Sequence, residues 1–379
     1  MSISKNGIRN LALIVVIFGI CSFVGHAQGS GNNSDRVGAG FVVHISPNED
    51  AKLYVGDSDH IVGMNAQTGH ILWTHRTPYG TVDVGPILVG GRLVYAGGGG
   101  GFTIYGLDPD TGRQYWAKQQ RTSLLVAGDG RLFANTQSGR GITAIDVKTG
   151  KNIWSFSDPP GGSEDKLFYF YKSLYATDYV LDEGRGRFLS RFKIPLRAVA
   201  TDLETVFMVD ADDNLSAAVP HSNSTKWAVQ AGNGKQIAGL VANKENVVVA
   251  LYDGYPDSAH TGTIEAYNAA DGKTLWKQEI ASQYRGLLWN PIAADSNGLY
   301  VLLPGKNESE TIISAWSITS GKREWSCTNA DGIIAPIVVV NHEIYANDAV
   351  GHIYVIDTGS GKLLRTLLYG DHKLPTSVR

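Results

Sequence analysis

Cysteine is almost absent from this chain: of 379 residues only Cys21 and Cys327 are cysteine. No adjacent cysteine pair exists, and a chain that sheds Cys21 with a leader has no intrachain disulfide to form. Cys327, just after a tryptophan, is expected to be a small buried apolar residue. The ten histidines show no metal-ligand spacing and no Cys/His cluster. His60 and His352 fall at one repeat position, but a single pair does not make a zinc site. Gly-x-Ser-x-Gly is missing, and nothing names a nucleophile. Charged residues make up 18% and the net charge is −3, which removes any bulk basic signal for nucleic acid. Helical 3.6-residue periodicity is lacking throughout.

Long apolar runs are scarce too. The one that stands out, residues 11–24, is short for a membrane-spanning helix. Lys5 and Arg9 precede it and Gly25-His26-Ala27 follows, which reads as a secretory signal over residues 1–27. Twin arginines are absent, so general secretion is the expected route, to the periplasm or the extracellular space. Lipid anchoring at Cys21 is disfavoured because Phe18-Gly19-Ile20 puts a bulky residue where a lipobox wants a small one. No transmembrane span is expected in the mature chain. Residues 28–40 read as a Gly/Ser/Asn-rich linker, 41–370 as one domain and 371–379 as a tail.

Glycine, by contrast, is plentiful at 45 residues, and its placement is periodic. Residues 141–156 hold two apolar-alternating runs joined by Lys148-Thr149-Gly150, a hairpin signal. The frame Asp146/Gly150/Trp154 recurs as Asn65/Gly69/Trp73, Asp108/Gly112/Trp116, Asn268/Gly272/Trp276 and Ser317/Gly321/Trp325. Copies with a part missing are Asp182/Gly186/Ser190, Val219/Asn223/Trp227 and Asp357/Gly361/Arg365. The middle positions 69, 112, 150, 186, 223, 272, 321 and 361 thus recur every 36–49 residues. A repeat of that length made only of strands is one small antiparallel sheet, which must pack against neighbours on both faces. The expected fold is all-β: an eight-bladed β-propeller with four antiparallel strands per blade. The repeated tryptophans are expected to fill the wedges between blades. No strand is left over to lock the ring, so its closure stays open at this point.

Ala144, Asp146, Thr149, Gly150 and Trp154 resemble in full the Ala-x-Asp-x-x-Thr-Gly-x-x-x-Trp repeat of the PQQ-type, quinoprotein-like β-propellers. Gly85-Pro86-Ile87, Asn290-Pro291-Ile292 and Ala335-Pro336-Ile337 resemble the small-Pro-aliphatic opening of that family's first strand. In length and repeat pattern the chain is similar to the BamB lipoproteins of the outer-membrane β-barrel assembly machinery. That resemblance implies a cofactor-free propeller whose loops on one face engage a protein partner. The scaffold is shared by enzymes and non-enzymes, so activity does not follow from it.

Candidate binding residues gather on the loops that lead into the inner strands. Arg36, Asp83, Arg121, Lys166, Arg197, Lys235, Arg285 and Asp331 fall just ahead of those strands, six of them basic. Converging on the channel mouth, they would focus a positive potential suited to an anionic small molecule or an acidic peptide. Insertions at residues 252–261 and 304–311 lengthen the same face in blades 6 and 7. Tyr79, Tyr252, Tyr255, Tyr284 and Trp289 add aromatic groups of the kind found at interface hot spots. Residues 97–101 are five glycines that would let a partner's backbone approach, and are no phosphate loop. Residues 210–214 alternate oxygen side chains like the start of a calcium loop, but Leu215 and His221 break the pattern, and an acidic turn is favoured. The reading that results is an exported, non-catalytic, monomeric scaffold for a protein partner in the cell envelope, with no cofactor. A PQQ-dependent dehydrogenase with quinone and calcium at the channel mouth, and a sugar- or peptide-binding sensor, are the alternatives.

Overall fold

A computed structural model describes residues 41–44 and 51–369, apart from 58, 79, 100–101, 137–140, 158–166, 171, 177–178, 193, 195, 202–203, 221–223, 233–234, 253–261, 281–291, 297, 305–309, 330–332 and 349–350. Strands are the only extended elements among these residues, and they pair into eight four-stranded antiparallel sheets. Each sheet uses four consecutive strands in chain order from inner to outer. The blades span residues 41–76, 82–119, 125–157, 167–191, 196–230, 236–280, 292–329 and 333–368. The expected eight-bladed β-propeller is the observed fold.

Alternation explains how the ring is packed. In the second strand of blade 2, Arg92–Gly97, Leu93 and Tyr95 join a cluster with blade 1, while Val94 and Ala96 join one with blade 3. Successive side chains point to opposite faces of a strand, so a strand buried on both faces reads as an unbroken apolar run. The same division operates all round. Eight buried clusters are described, and each bridges two neighbouring blades.

The repeat frame proves to be a lock between blades. The indole of Trp116 lies over Gly150 of the next blade, where an added Cβ would come within 2.8 Å of the ring. Its Nε1–H donates to Val147 O at 2.8 Å. Trp73, Trp154, Trp227, Trp276 and Trp325 do the same to Pro109, Glu183, Ala269, Ile318 and Thr358, each the residue after the next blade's frame position. Gly112, Gly186, Gly272, Gly321 and Gly361 receive those rings. All these turn glycines have φ between +64° and +74°, the left-handed region that favours glycine. The first frame residue holds the turn: Asp146 accepts from the backbone N–H and the hydroxyl of Thr149 at 2.8 and 2.7 Å.

The small residue two before the frame position has a reason as well. Gly63, Gly106, Ala144, Ala217, Ala266 and Ala315 each pair with the tryptophan of their own blade. A Cβ on Gly63 would sit 2.3 Å from Trp73, so the ring needs the space. Where tryptophan is missing the partner is larger: Val180 opposite Ser190 and Val355 opposite Arg365.

Ring closure needs no shared strand. Blade 8 packs directly on blade 1, with Tyr345, Ile353, Val355 and Leu367 against Leu53, Val55, Val62 and Met64. Arg365 takes the tryptophan's part there, donating Nε–H to Ala66 O at 3.0 Å. Its two other nitrogens grip Glu343 at 2.7 and 2.8 Å, and Leu367 covers Gly69. Pro86 falls where the ladder of its inner strand breaks register, which suits a residue without an N–H.

Candidate functional site

Few of the mouth and loop residues singled out in the sequence come together here. Arg36, Lys166, Arg285, Asp331, Tyr79, Tyr255, Tyr284 and Trp289 lie outside the described residues, as do 1–40 and 370–379. Arg121 is exposed and stacks its guanidinium over Phe102, 4.8 Å from the ring centroid. Lys235 is half-buried and donates to Thr263 Oγ1 at 2.7 Å. Arg197 corrects an expectation: it is the second residue of its inner strand, Leu196–Thr201, not a residue ahead of it. Asp83 is likewise inside a strand, Val82–Val89, and accepts from Thr81 Oγ1 at 2.9 Å. Tyr252 closes the second strand of blade 6, Asn246–Tyr252, so the insertion proper is 253–261. That insertion and 305–309 of blade 7 both join a second strand to a third.

The glycine run makes its close approach within the chain. Gly98 N–H donates to Thr81 O at 3.0 Å, and a Cβ on Gly80 would stand 3.0 Å from Gly99 N. The acidic turn is closed on itself, with Asp210 Oδ1 accepting from the backbone N–H groups of Asp212 and Asn214 at 2.9 and 3.0 Å. No group of three or more metal-ligating side chains occurs among the described residues. His60 pairs with Asp59, and His352 Nδ1 lies 2.6 Å from Asp348 Oδ2. Cys327 is half-buried rather than buried, on the outer strand of its blade, and burial pushes its thiol pKa up.

Buried carboxylates are committed to structure. Glu265 is tied to Tyr267 at 2.5 Å and to Lys277 at 2.9 Å. Burial raises its pKa, yet those partners outweigh the burial and hold the carboxyl below its ordinary value. Glu343 behaves alike under the Arg365 fork. Burial pushes the Tyr267 and Tyr345 hydroxyls up, so they stay protonated donors. Glu183 accepts from Tyr169 and lies near Arg131.

One junction of the ring departs from the others. Blade 4 has Ser190 at the tryptophan position and blade 5 has Asn223 at the glycine position, and the lock joins those two positions. Both halves are therefore lost at a single interface. Phe168, Tyr175 and Val180 of blade 4 pack here on Leu196, Val199, Val206 and Met208 of blade 5 in one buried cluster. A cavity of about 680 Å³ opens between the two blades. Val180, Leu189 and Phe192 line it from blade 4 and the segment after it, and Leu196, Val206 and Met208 from blade 5. Ser190, Arg191, Asp210, Ser216 and Thr225 line it as well, so its walls are mixed rather than apolar. Sequence reading marked both blades as irregular, but their defects are 33 positions apart and nothing local joins them.

A family model described as outer membrane protein assembly factor BamB matches residues 25–168 and 260–377, more than half the chain. The chain belongs to this family. The interval between the two matched stretches holds most of blade 4 and all of blade 5. BamB of Francisella salina is 25% identical over 118 residues, which is 30% of this chain and 22% of that protein. BamB of Kangiella koreensis is 25% identical over 149 residues, 35% of this chain and 38% of that protein. The matches thus span well under half of these relatives' own length. Among solved structures, dihydro-heme d1 dehydrogenase NirN aligns with a TM-score of 0.65 at 12% identity, over 86% of this chain and 72% of that one. Identity that low speaks for the fold alone.

Proposed function

We propose that this chain is an exported, non-catalytic scaffold that presents the loops of one face to a protein partner in the cell envelope. The observation that carries this reading is membership of the BamB family on an eight-bladed ring. The leader-like residues 1–27 support export, and no helix among the described residues is long and apolar enough to cross a membrane. Glu265 and Glu343 are each tied to side chains on the same and adjacent strands of their own blades, which is the pairing of a structural element. Arg121, Lys235 and the insertions 253–261 and 305–309 are the groups through which such a face would act.

The test is co-purification of the tagged chain from crosslinked envelopes, in parallel with a variant whose 253–261 loop is cut to a short Gly-Ser turn. A partner retained by the intact ring and lost from the folded loop variant supports the reading. Equal recovery of the same partner by both places the contact elsewhere and overturns it.

A further inference from the structure

Apolar exposure is not scattered over this ring. Among the described residues, nine of the eleven exposed large apolar side chains occupy the second or third position after a turn glycine, at the foot of an outer strand. Leu363 and Leu364 of blade 8 and Ile71 and Leu72 of blade 1 flank the seam. Tyr115 and Ile153 continue the row on blades 2 and 3, and Phe188 and Leu189 end it on blade 4. Each of these is 41–50% exposed. The fold does not require them, because blades 5 and 7 carry Thr225-Lys226 and Arg323-Glu324 at the same two positions, also exposed. Equal offset from equivalent turns puts the whole row at one height on the ring. Antiparallel strands reverse direction at each turn, so this rim lies on the face opposite the insertions 253–261 and 305–309.

Cations accompany the row. Arg113, Lys151, Arg187, Lys273, Lys322 and Lys362 stand exposed one position after the turn glycine, and His70 holds that place on blade 1. The acidic groups of these turns are engaged nearer home. Asp108, Asp146 and Asp357 accept from backbone N–H groups of their own turns, Asp110 pairs with Lys52, and Asp271 pairs with Lys273 on blade 6, outside the row. We propose that this rim seats the ring on an anionic lipid surface, with the apolar side chains of blades 8 and 1 to 4 entering the headgroup layer and the neighbouring cations meeting lipid phosphates. A row that keeps one height over five consecutive blades fits a flat surface. Apolar groups with Lys or Arg beside them are the pattern of interfacial binding, where buried area and attraction to anionic lipid add. A second copy of the chain fits less well, since two such rims face to face would oppose their cations. Seated so, the ring turns the face with its insertions away from the lipid, whichever partner that face takes.

The test uses the full chain with Cys21→Ser and Cys327→Ser, which removes lipid attachment at the first and leaves one chosen thiol to label. A nitrobenzoxadiazole probe is placed at Leu364→Cys on the rim and, in a separate protein, at Phe102→Cys, 47% exposed between a second and a third strand and so on the opposite face. The vesicles are phosphatidylglycerol and phosphatidylethanolamine in equal parts, or phosphatidylcholine alone. With the anionic vesicles the Leu364 probe should brighten and shift to the blue, while the Phe102 probe stays as in buffer. Phosphatidylcholine should give little of either. Ile71→Ser with Leu72→Ser and Leu363→Ser, shown folded by circular dichroism, should raise the lipid concentration at half response by about tenfold or more. A Leu364 probe that stays in water on vesicle-bound protein overturns the proposal. So does an undiminished response in the folded triple variant, or an equal response to phosphatidylcholine. A blue shift without vesicles that grows with protein concentration assigns the rim to a second copy and overturns it as well. Shortening 253–261 leaves the rim intact, so this proposal and the partner-binding reading fail separately.

Discussion

Replacing Gly112 by alanine isolates what one lock contributes. Gly112 has φ of +69°, and an added Cβ would lie 2.4 Å from Cε3 of Trp73. Two costs therefore add. A residue with a Cβ in the left-handed region costs about 1–2 kcal/mol, and forcing a methyl into a packed contact costs about 1–3 kcal/mol. The sum is about 2–5 kcal/mol. Gly91 separates the two, because its φ is +73° and nothing lies within 4 Å of its would-be Cβ. Gly91→Ala should then show the backbone cost alone, about 1–2 kcal/mol. Trp73→Ala should cost about 3–5 kcal/mol, as other large-to-small core changes do. In the double variant the clash is gone, so Gly112→Ala should cost no more there than Gly91→Ala does in the wild type. Urea denaturation followed by circular dichroism measures all four proteins. Equal costs for Gly112→Ala and Gly91→Ala, or strict additivity with Trp73→Ala, would refute the lock as described.

Arg365→Ala opens the seam, removing the bond to Ala66 O and leaving Glu343 without its fork; a loss of about 1.5–3 kcal/mol is expected in denaturation, and Arg365→Lys should recover only part of it. Glu343, Glu265, Asp108 and Asp146 are all held below their ordinary pKa. Their contribution is complete above the unfolded-state carboxylate values near 4 and is lost as pH falls through the lower folded values, so thermal midpoints should drop below about pH 4.5. The drop should be shallower in Glu343→Gln with Arg365→Met. Burial raises the hydroxyls of Tyr95, Tyr267, Tyr300 and Tyr345, so stability present below their unfolded value near 10 is lost as pH rises past it. Their ionisation, read at 295 nm, should coincide with alkaline unfolding rather than precede it. Pyrroloquinoline quinone with Ca²⁺ should leave the unfolding midpoint unmoved, whereas a ligand at 100 times its Kd would stabilise by about 2.7 kcal/mol and reopen the quinoprotein alternative.

Much of the fold was legible because its rules are local. The Asp146-to-Thr149 turn, the positive-φ glycine and the two-residue alternation act over a few positions, and repeating them eight times spells out strands, hairpins and a blade count. The mouth residues were less legible. Arg197 and Asp83 were misplaced by a residue or two, because where an inner strand begins depends on how far its neighbour extends.

By itself, then, the sequence determined that this is a set of eight small sheets, each of which must cover both faces against a neighbour. Only the tertiary structure decided what each repeated residue is for. The tryptophan of one blade meets the glycine of the next, 32–45 positions away, so their pairing is invisible to any local rule. It also showed that Arg365 closes the seam from the far end of the ring. Each of these is a meeting of surfaces that exists only once the chain has come round on itself.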